Sequence, residues 1–192
     1  MRPLILASTS PYRRDLLRRF GLDFESANPR VDEQHHAGEA PARRAARLAL
    51  AKANAIAATR PDAIVIGSDQ VAAVGDTILD KPGSEASCIA QLERLAGRRA
   101  MFLTACAVVS TETGLLLQHV DDTAVWFRAL SRTEIVRYVE REEPLDCAGG
   151  FRSEGLGIAL FERIRTEDPS ALVGLPLIWL AGALRRAGYP VP

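Results

Sequence analysis

Apolar and polar positions alternate between two rhythms along this chain. Residues 4–7 form an unbroken apolar run, L-I-L-A, short enough only for a buried strand, and the polar cluster S-T-S-P follows directly. Ser10 before Pro11 predicts a helix start, with a hydroxyl cap and proline at the first helical position. Leu16, Leu17 and Phe20 give that helix an apolar stripe, and Gly21 ends it. Residues 22–27 are a second candidate strand, and residues 28–40 are polar and irregular. An alanine-rich helix is expected over residues 41–59, then a central strand over residues 63–74, bent at Gly67.

The second half repeats the mixture. Gly75-Asp76 predicts a hairpin turn into a strand over residues 77–79. Ser84 caps a helix that ends at Gly97. Residues 101–110 and 115–127 are long β-branched segments around Glu112-Thr113-Gly114, a hairpin signature. Ser131 opens another helix, with Glu134 completing a capping box and Ile135, Tyr138 and Val139 at helical spacing. Residues 149–157 are glycine-rich, residues 158–161 are a strand candidate, and residues 176–186 are the last helix. Strands and helices mix throughout without a repeat or linker, so the expected class is α/β or α+β, as a single domain over residues 1–192.

Composition narrows the partners. The 192 residues are 47% hydrophobic, enough for a large core. The 24 basic and 24 acidic residues cancel, which argues against duplex nucleic acid or a membrane surface as the main partner and leaves local basic clusters for small anions. The N-terminal apolar run is too short for a signal segment or a membrane span. Cys88, Cys106 and Cys147 show no zinc or disulfide spacing and read as reduced core cysteines of a cytoplasmic protein.

Within this frame, I-V-I-G-S-D-Q-V at residues 64–71 is the anomaly, because Asp69 interrupts a core strand. It reads either as a turn residue or as a catalytic acid at the lip of a sheet. Free amides at the start of the first helix attract anions, and Ser8, Thr9, Ser10, Arg13 and Arg14 add hydroxyls and charge there. Arginine is electrostatically wrong for a helix N-terminus, a mismatch that a bound phosphate repairs; solvated surface charges are the plainer alternative. Lys52 lies on the apolar stripe between Leu48 and Ile56, either snorkelling from its edge or reaching into a cleft. Lys81, in Asp-Lys-Pro, is a further cation or a surface turn. Asp32-Glu33 is either a solvated acidic loop or the complement of Asp69 in a Mg²⁺ site, since that ion takes a few carboxylates plus substrate phosphates. His35 and His36 read as surface residues. The P-loop, dinucleotide and hydrolase-elbow motifs are all absent, which leaves phosphate chemistry on a soluble nucleotide.

The ordered segments L-I-L-A-S-T-S-P-Y-R-R, V-D-E, L-A-L-A-K-A, I-V-I-G-S-D-Q-V, L-D-K-P and C-A-G-G-F-R-S-E-G-L-G together resemble the Maf family of nucleoside triphosphate pyrophosphatases. The resemblance implies an elongated, inosine-triphosphatase-like α/β fold: a mixed sheet with flanking helices, and two lobes around a central cleft. It implies hydrolysis of a nucleoside triphosphate to the monophosphate and diphosphate with a divalent metal, Mg²⁺ or Mn²⁺. Carried over by position, Asp69 becomes the catalytic acid, Ser8, Arg13, Arg14, Lys52 and Lys81 the phosphate binders, and Glu33 joins Asp69 at the metal. The family name also implies a link to septum formation, so a nucleotide-binding regulator of cell division is a competing reading. A homodimer is compatible with the sequence, although no apolar stripe demands one.

Three positions separate the branches of that family. The dTTP/UTP branch carries arginine, threonine and glutamine where this chain has Tyr12, Gln70 and Glu154. An aromatic residue, Gln and Glu resemble the branch that prefers 7-methyl-GTP, whose usual aromatic is tryptophan. N7-methylation makes guanine cationic, so a ring at Tyr12 can stack on it and a carboxylate at Glu154 can accept from its N–H groups. Thr104-Ala105 departs from the commoner T-G without losing a small residue.

Overall fold

The computed structural model describes residues 1–75 and 77–192. Its strands are β1 (Leu4–Leu6), β2 (Glu25–Ser26), β3 (Ile64–Val74), β4 (Thr77–Leu79), β5 (Arg99–Ser110), β6 (Leu115–Phe127) and β7 (Phe161–Arg165). Its helices are α1 (Pro11–Arg18), α2 (Pro41–Ala57), α3 (Glu85–Leu95), α4 (Arg132–Glu142) and α5 (Leu177–Arg186). The strands form a seven-stranded mixed sheet in the order β2-β1-β3-β5-β6-β7, with β4 paired to β3. β1 runs parallel to both β2 and β3, whereas β3 with β4 and β6 with β7 are antiparallel.

The chain divides into two compact units. The first comprises Met1–Gln70, Thr104–Asp121 and Asp168–Pro192, and the second Val71–Leu103 and Asp122–Glu167. In the first unit the sheet is buried on both faces, which is why its strands read as unbroken apolar runs. Leu4, Leu6, Ile64 and Ile66 pack on one face with Leu16 and Leu17 of α1 and Leu180 and Leu184 of α5. Ile5, Ala7 and Val65 pack on the other face with Ala53, Ile56 and Ala57 of α2.

Gly67 explains how α2 comes so near. A β-carbon there would lie 2.2 Å from Ala49 O and 2.7 Å from Ala53 N, so the missing side chain lets the helix backbone approach the strand.

In the second unit Phe102, Phe127, Phe151 and Phe161 meet edge to face, with ring centroids 4.8–5.6 Å apart. The start of α4 has both halves of the expected capping box, Ser131 and Glu134. Ser10 and Ser84 cap α1 and α3 through their hydroxyls.

Three expectations change. The strand expected at residues 158–161 is a 3₁₀ turn over Leu156–Leu160, and β7 starts only at Phe161. Gly157 and Leu160 are buried while Ile158 is 56% exposed, a period of three rather than two. A β-carbon on Gly157 would lie 2.3 Å from Arg152 O, so this glycine permits the tight turn. The strand expected over residues 22–27 shrinks to Glu25–Ser26, both exposed. Cys88 and Cys106 are buried core thiols, but Cys147 is only half-buried, its thiol 3.4 Å from Asp146 Oδ1. Of the Gly75-Asp76 hairpin, Asp76 lies outside the described residues, and β3 and β4 on either side of it pair as expected.

Candidate active site

The site is built on β3 after Gly67. Asp69 is 7% exposed in the middle of an eleven-residue strand, so its carboxylate needs a partner. Lys52 of α2, also 7% exposed, supplies it: Nζ donates to Asp69 Oδ1 over 2.6 Å. The same ammonium lies 2.7 Å from Glu33 Oε1. Lys52 therefore neither snorkels outward nor stands alone; it gathers two carboxylates at one point.

Glu33 reaches that point because arginines of α2 hold its segment. Arg47 forms a two-pronged pair with Glu39, at 2.6 and 2.7 Å, and donates to Gln34 O. Arg44 donates to Glu33 O and contacts the His35 ring. The Glu39 carboxyl is held down at about 2, chiefly by its hydrogen bond from Arg47. His35 and His36 are exposed, as expected.

The turn from β1 into α1 lies in the same unit. Ser8 is buried, and its Oγ accepts from Ser10 N over 3.1 Å. Ser10 Oγ accepts from Arg13 N, and the first turn of α1 carries no acid. Arg13 Nε donates to Gly174 O over 3.0 Å. Burial draws the Arg13 pKa down, and the nearby Asp69, Cys106 and Glu33 oppose that fall. Cys106 itself is pushed up to about 12 by burial, which makes it a core thiol and not a nucleophile. Tyr12 and Arg14 are half-buried, and the Arg14 guanidinium has no hydrogen-bond or ion-pair partner among the described residues.

Gln70 follows Asp69 and is half-buried. Its Nε2 lies 2.9 Å from Thr104 Oγ1 and 3.0 Å from both Ala171 O and Leu172 O. Ser68, just before Asp69, directs its hydroxyl toward Ala105 O at 2.8 Å and Gly174 O at 2.9 Å. The first unit thus gathers Ser8, Tyr12, Arg13, Arg14, Glu33, Lys52, Asp69 and Gln70. Lys81 and Glu154 belong to the second unit, where both are exposed. Sequence reasoning missed Ser68 and the segment after Asp168, and marked Thr104 only as part of a departure from the commoner T-G. The signal available for them was D-P-S before G-L-P, residues 168–170 and 174–176.

Asp69 and Glu33 offer hard carboxylate oxygens to one position that already attracts a cation. Among the described residues no group of three or more His, Cys, Asp or Glu side chains is placed to hold a metal. A pair still suffices for an ion that keeps water and substrate phosphates in its remaining positions. The chemistry available here is therefore a buried carboxylate beside a fixed ammonium, with Arg13 and Arg14 of α1 in the same unit.

Comparison with known proteins gives the family and the fold. The model of a family described as Maf-like protein matches residues 3–187. A protein of Aromatoleum aromaticum named 7-methyl-GTP pyrophosphatase is 53% identical over 189 residues, covering 98% of this chain and 97% of its own. One of the same name from Albidiferax ferrireducens is 50% identical, covering 99% of this chain and 96% of its own. The solved structure of the Staphylococcus aureus Ham1 protein superposes with a TM-score of 0.55 at 16% identity, over 98% of this chain and all of that one, a likeness of fold.

Proposed function

This chain belongs to the Maf-like protein family, and we propose that it is a pyrophosphatase that hydrolyses 7-methyl-GTP to 7-methyl-GMP and diphosphate. The observation that carries the catalytic part is the buried Asp69 carboxylate, 2.6 Å from Lys52 and in the same unit as Arg13 and Arg14 of α1. The full-length relatives named 7-methyl-GTP pyrophosphatase support the choice of substrate.

Water attacks the α-phosphorus, the bond from that phosphorus to the bridging oxygen breaks, and diphosphate leaves. Asp69 accepts the proton of the attacking water, which makes it the general base. Arg13 and Arg14 bind phosphate oxygens, and Lys52 adds a fixed positive charge. Their preset positions hold the phosphates in line with the nucleophile, which is most of what phosphoryl chemistry asks of a protein. Asp69 and Glu33 fit a divalent cation by donor type, and such an ion supplies charge neutralisation and a lower pKa for water.

Tyr12 and Gln70 read the base from the first unit, Tyr12 by stacking on the methylated, cationic ring. Lys81 and Glu154 enter this reading from the family pattern, as a phosphate cation and an acceptor for base N–H groups.

The test is diphosphate release with Mg²⁺ or Mn²⁺ over a panel of 7-methyl-GTP, GTP, dTTP, UTP and CTP. A preference for 7-methyl-GTP of about tenfold or more over GTP is expected, of the order one well-placed cation–π contact gives. Preference for dTTP or UTP removes the base assignment and leaves the chemistry. No turnover of any nucleotide, with binding retained, favours the regulator instead.

A further inference from the structure

Gln70, Ser68 and Arg13 share one backbone feature. Three carbonyls of a single loop receive their donors: Ala171 O and Leu172 O take Gln70 Nε2, and Gly174 O takes Arg13 Nε and stands beside Ser68 Oγ. Thr104 Oγ1 also donates to Ala171 O, over 2.9 Å. The loop includes a 3₁₀ turn at Ala171–Val173 and ends in Gly174, whose φ of +123° disfavours any side chain.

The loop's shape depends on Asp168, which is 4% exposed. Its Oδ1 accepts from Ser170 N over 2.9 Å and also contacts the Ser170 hydroxyl. Its Oδ2 accepts from Ile178 N in the first turn of α5, over 2.7 Å. Ser170 Oγ accepts from Leu177 N over 2.8 Å and lies 2.9 Å from Leu175 O. Helix α5 has Pro176 at its cap position and no side-chain cap there. Asp168 and Ser170 therefore cap it from across the loop, with the carboxylate at the favourable end of the helix dipole.

We propose that Asp168 is a positioning residue, which fixes these carbonyls and through them the orientation of Gln70 and Arg13 around Asp69. The inference rests on the reading of the Asp69 segment as the catalytic site. It also sets the polarity of Gln70. Nε2 faces three acceptors, and a flipped amide would set its oxygen against two carbonyls. Oε1 is thus the atom left to the substrate, and Gln70 reads a donor on the base, such as a ring or exocyclic N–H.

The test combines selectivity with side-chain NMR. In the ¹⁵N-labelled wild type the Gln70 amide, assigned by its loss in Gln70→Leu, is expected to exchange slowly. In Asp168→Ala, with circular dichroism retained, exchange speeds at least tenfold and the 7-methyl-GTP to GTP preference falls at least fivefold. Simple loss of folded protein lowers both turnovers equally and leaves that ratio unchanged. Asp168→Asn, which keeps one acceptor oxygen, falls between the two, and Thr104→Val shifts the ratio in the same direction. An unchanged Gln70 amide and ratio in Asp168→Ala overturns the inference. Should that variant not fold, the same result in Asp168→Asn and Ser170→Ala overturns it. If the wild type hydrolyses no nucleotide, the proposed function fails, and the Gln70 amide still decides the positioning role.

Discussion

One ammonium holds two carboxylates in this molecule: Lys52 Nζ stands 2.6 Å from Asp69 Oδ1 and 2.7 Å from Glu33 Oε1. The Lys52 and Asp69 side chains are 9% and 10% exposed, so each replaces for the other much of the water lost on burial. Glu33, at 56%, is the wet arm of the triad and adds less. Lys52→Met is expected to lower the unfolding free energy by about 3 kcal/mol, because Asp69 is left buried without its cation. Urea denaturation measures this. A loss below about 1 kcal/mol shows that the pair has little structural weight.

Asp69→Asn keeps the shape of the side chain and removes the base. Turnover is expected to fall by about 10²–10⁴-fold, the usual share of a general base, while affinity for a non-hydrolysable nucleotide stays within a few-fold. Steady-state kinetics and calorimetric titration test the two halves separately. A variant that retains a third or more of the wild-type rate removes Asp69 from the reaction.

Gly67→Ala places a methyl group 2.2 Å from Ala49 O and 2.7 Å from Ala53 N. Both atoms are helix backbone, so relief requires α2 to move away from β3. The expected loss of stability is about 3 kcal/mol or more, at the upper end for overpacking. Activity falls with it, since α2 carries Lys52 and β3 carries Asp69. Thermal unfolding and turnover report both effects. A variant as stable as the wild type rules out the close approach.

Acid should loosen the segment at residues 28–40. The hydrogen bond from Arg47 depresses the Glu39 carboxyl to about 2, from an ordinary value of 4.5. A depressed carboxyl stabilises the folded state above its unfolded value and loses that contribution as pH falls through the folded one. The Arg47–Glu39 tie is therefore complete above about pH 4.5 and fades toward pH 2. NMR titration of the Glu39 side-chain carbon should give a midpoint near 2, and Glu39→Gln should speed amide exchange in this segment at neutral pH. A midpoint above 4 contradicts the tie.

Much of the architecture was legible from short-range patterns. Ser10-Pro11, Ser84 and the Ser131–Glu134 box sit where helices begin, because a cap bonds an amide two or three residues away. Lys52 was conspicuous as a cation on an apolar stripe, and Asp69 as an acid inside a strand, since either is unfavourable in a core without a partner. Those oddities marked Lys52 and Asp69 one at a time and did not join them as a pair. They left open whether Lys52 reached outward or inward, and that answer required Asp69 and Glu33 to be placed together.

The remaining features lie beyond any local pattern. The 3₁₀ turn at Leu156–Leu160 passes for a strand because a short apolar run carries too little periodicity to separate a repeat of two from one of three. The hydrogen bonds of Ser68, Gln70 and Thr104 leave no local signature because their partners lie 34 to 106 residues away along the chain. Capping and amphipathic spacing are written in neighbouring residues, so this chain declares its helices, its buried strands and its misplaced charges in one dimension. Which carbonyl meets which side chain depends on how β1, β3 and the loop before α5 are stacked. That is a property of the packed sheet, where distant segments first come within hydrogen-bonding range.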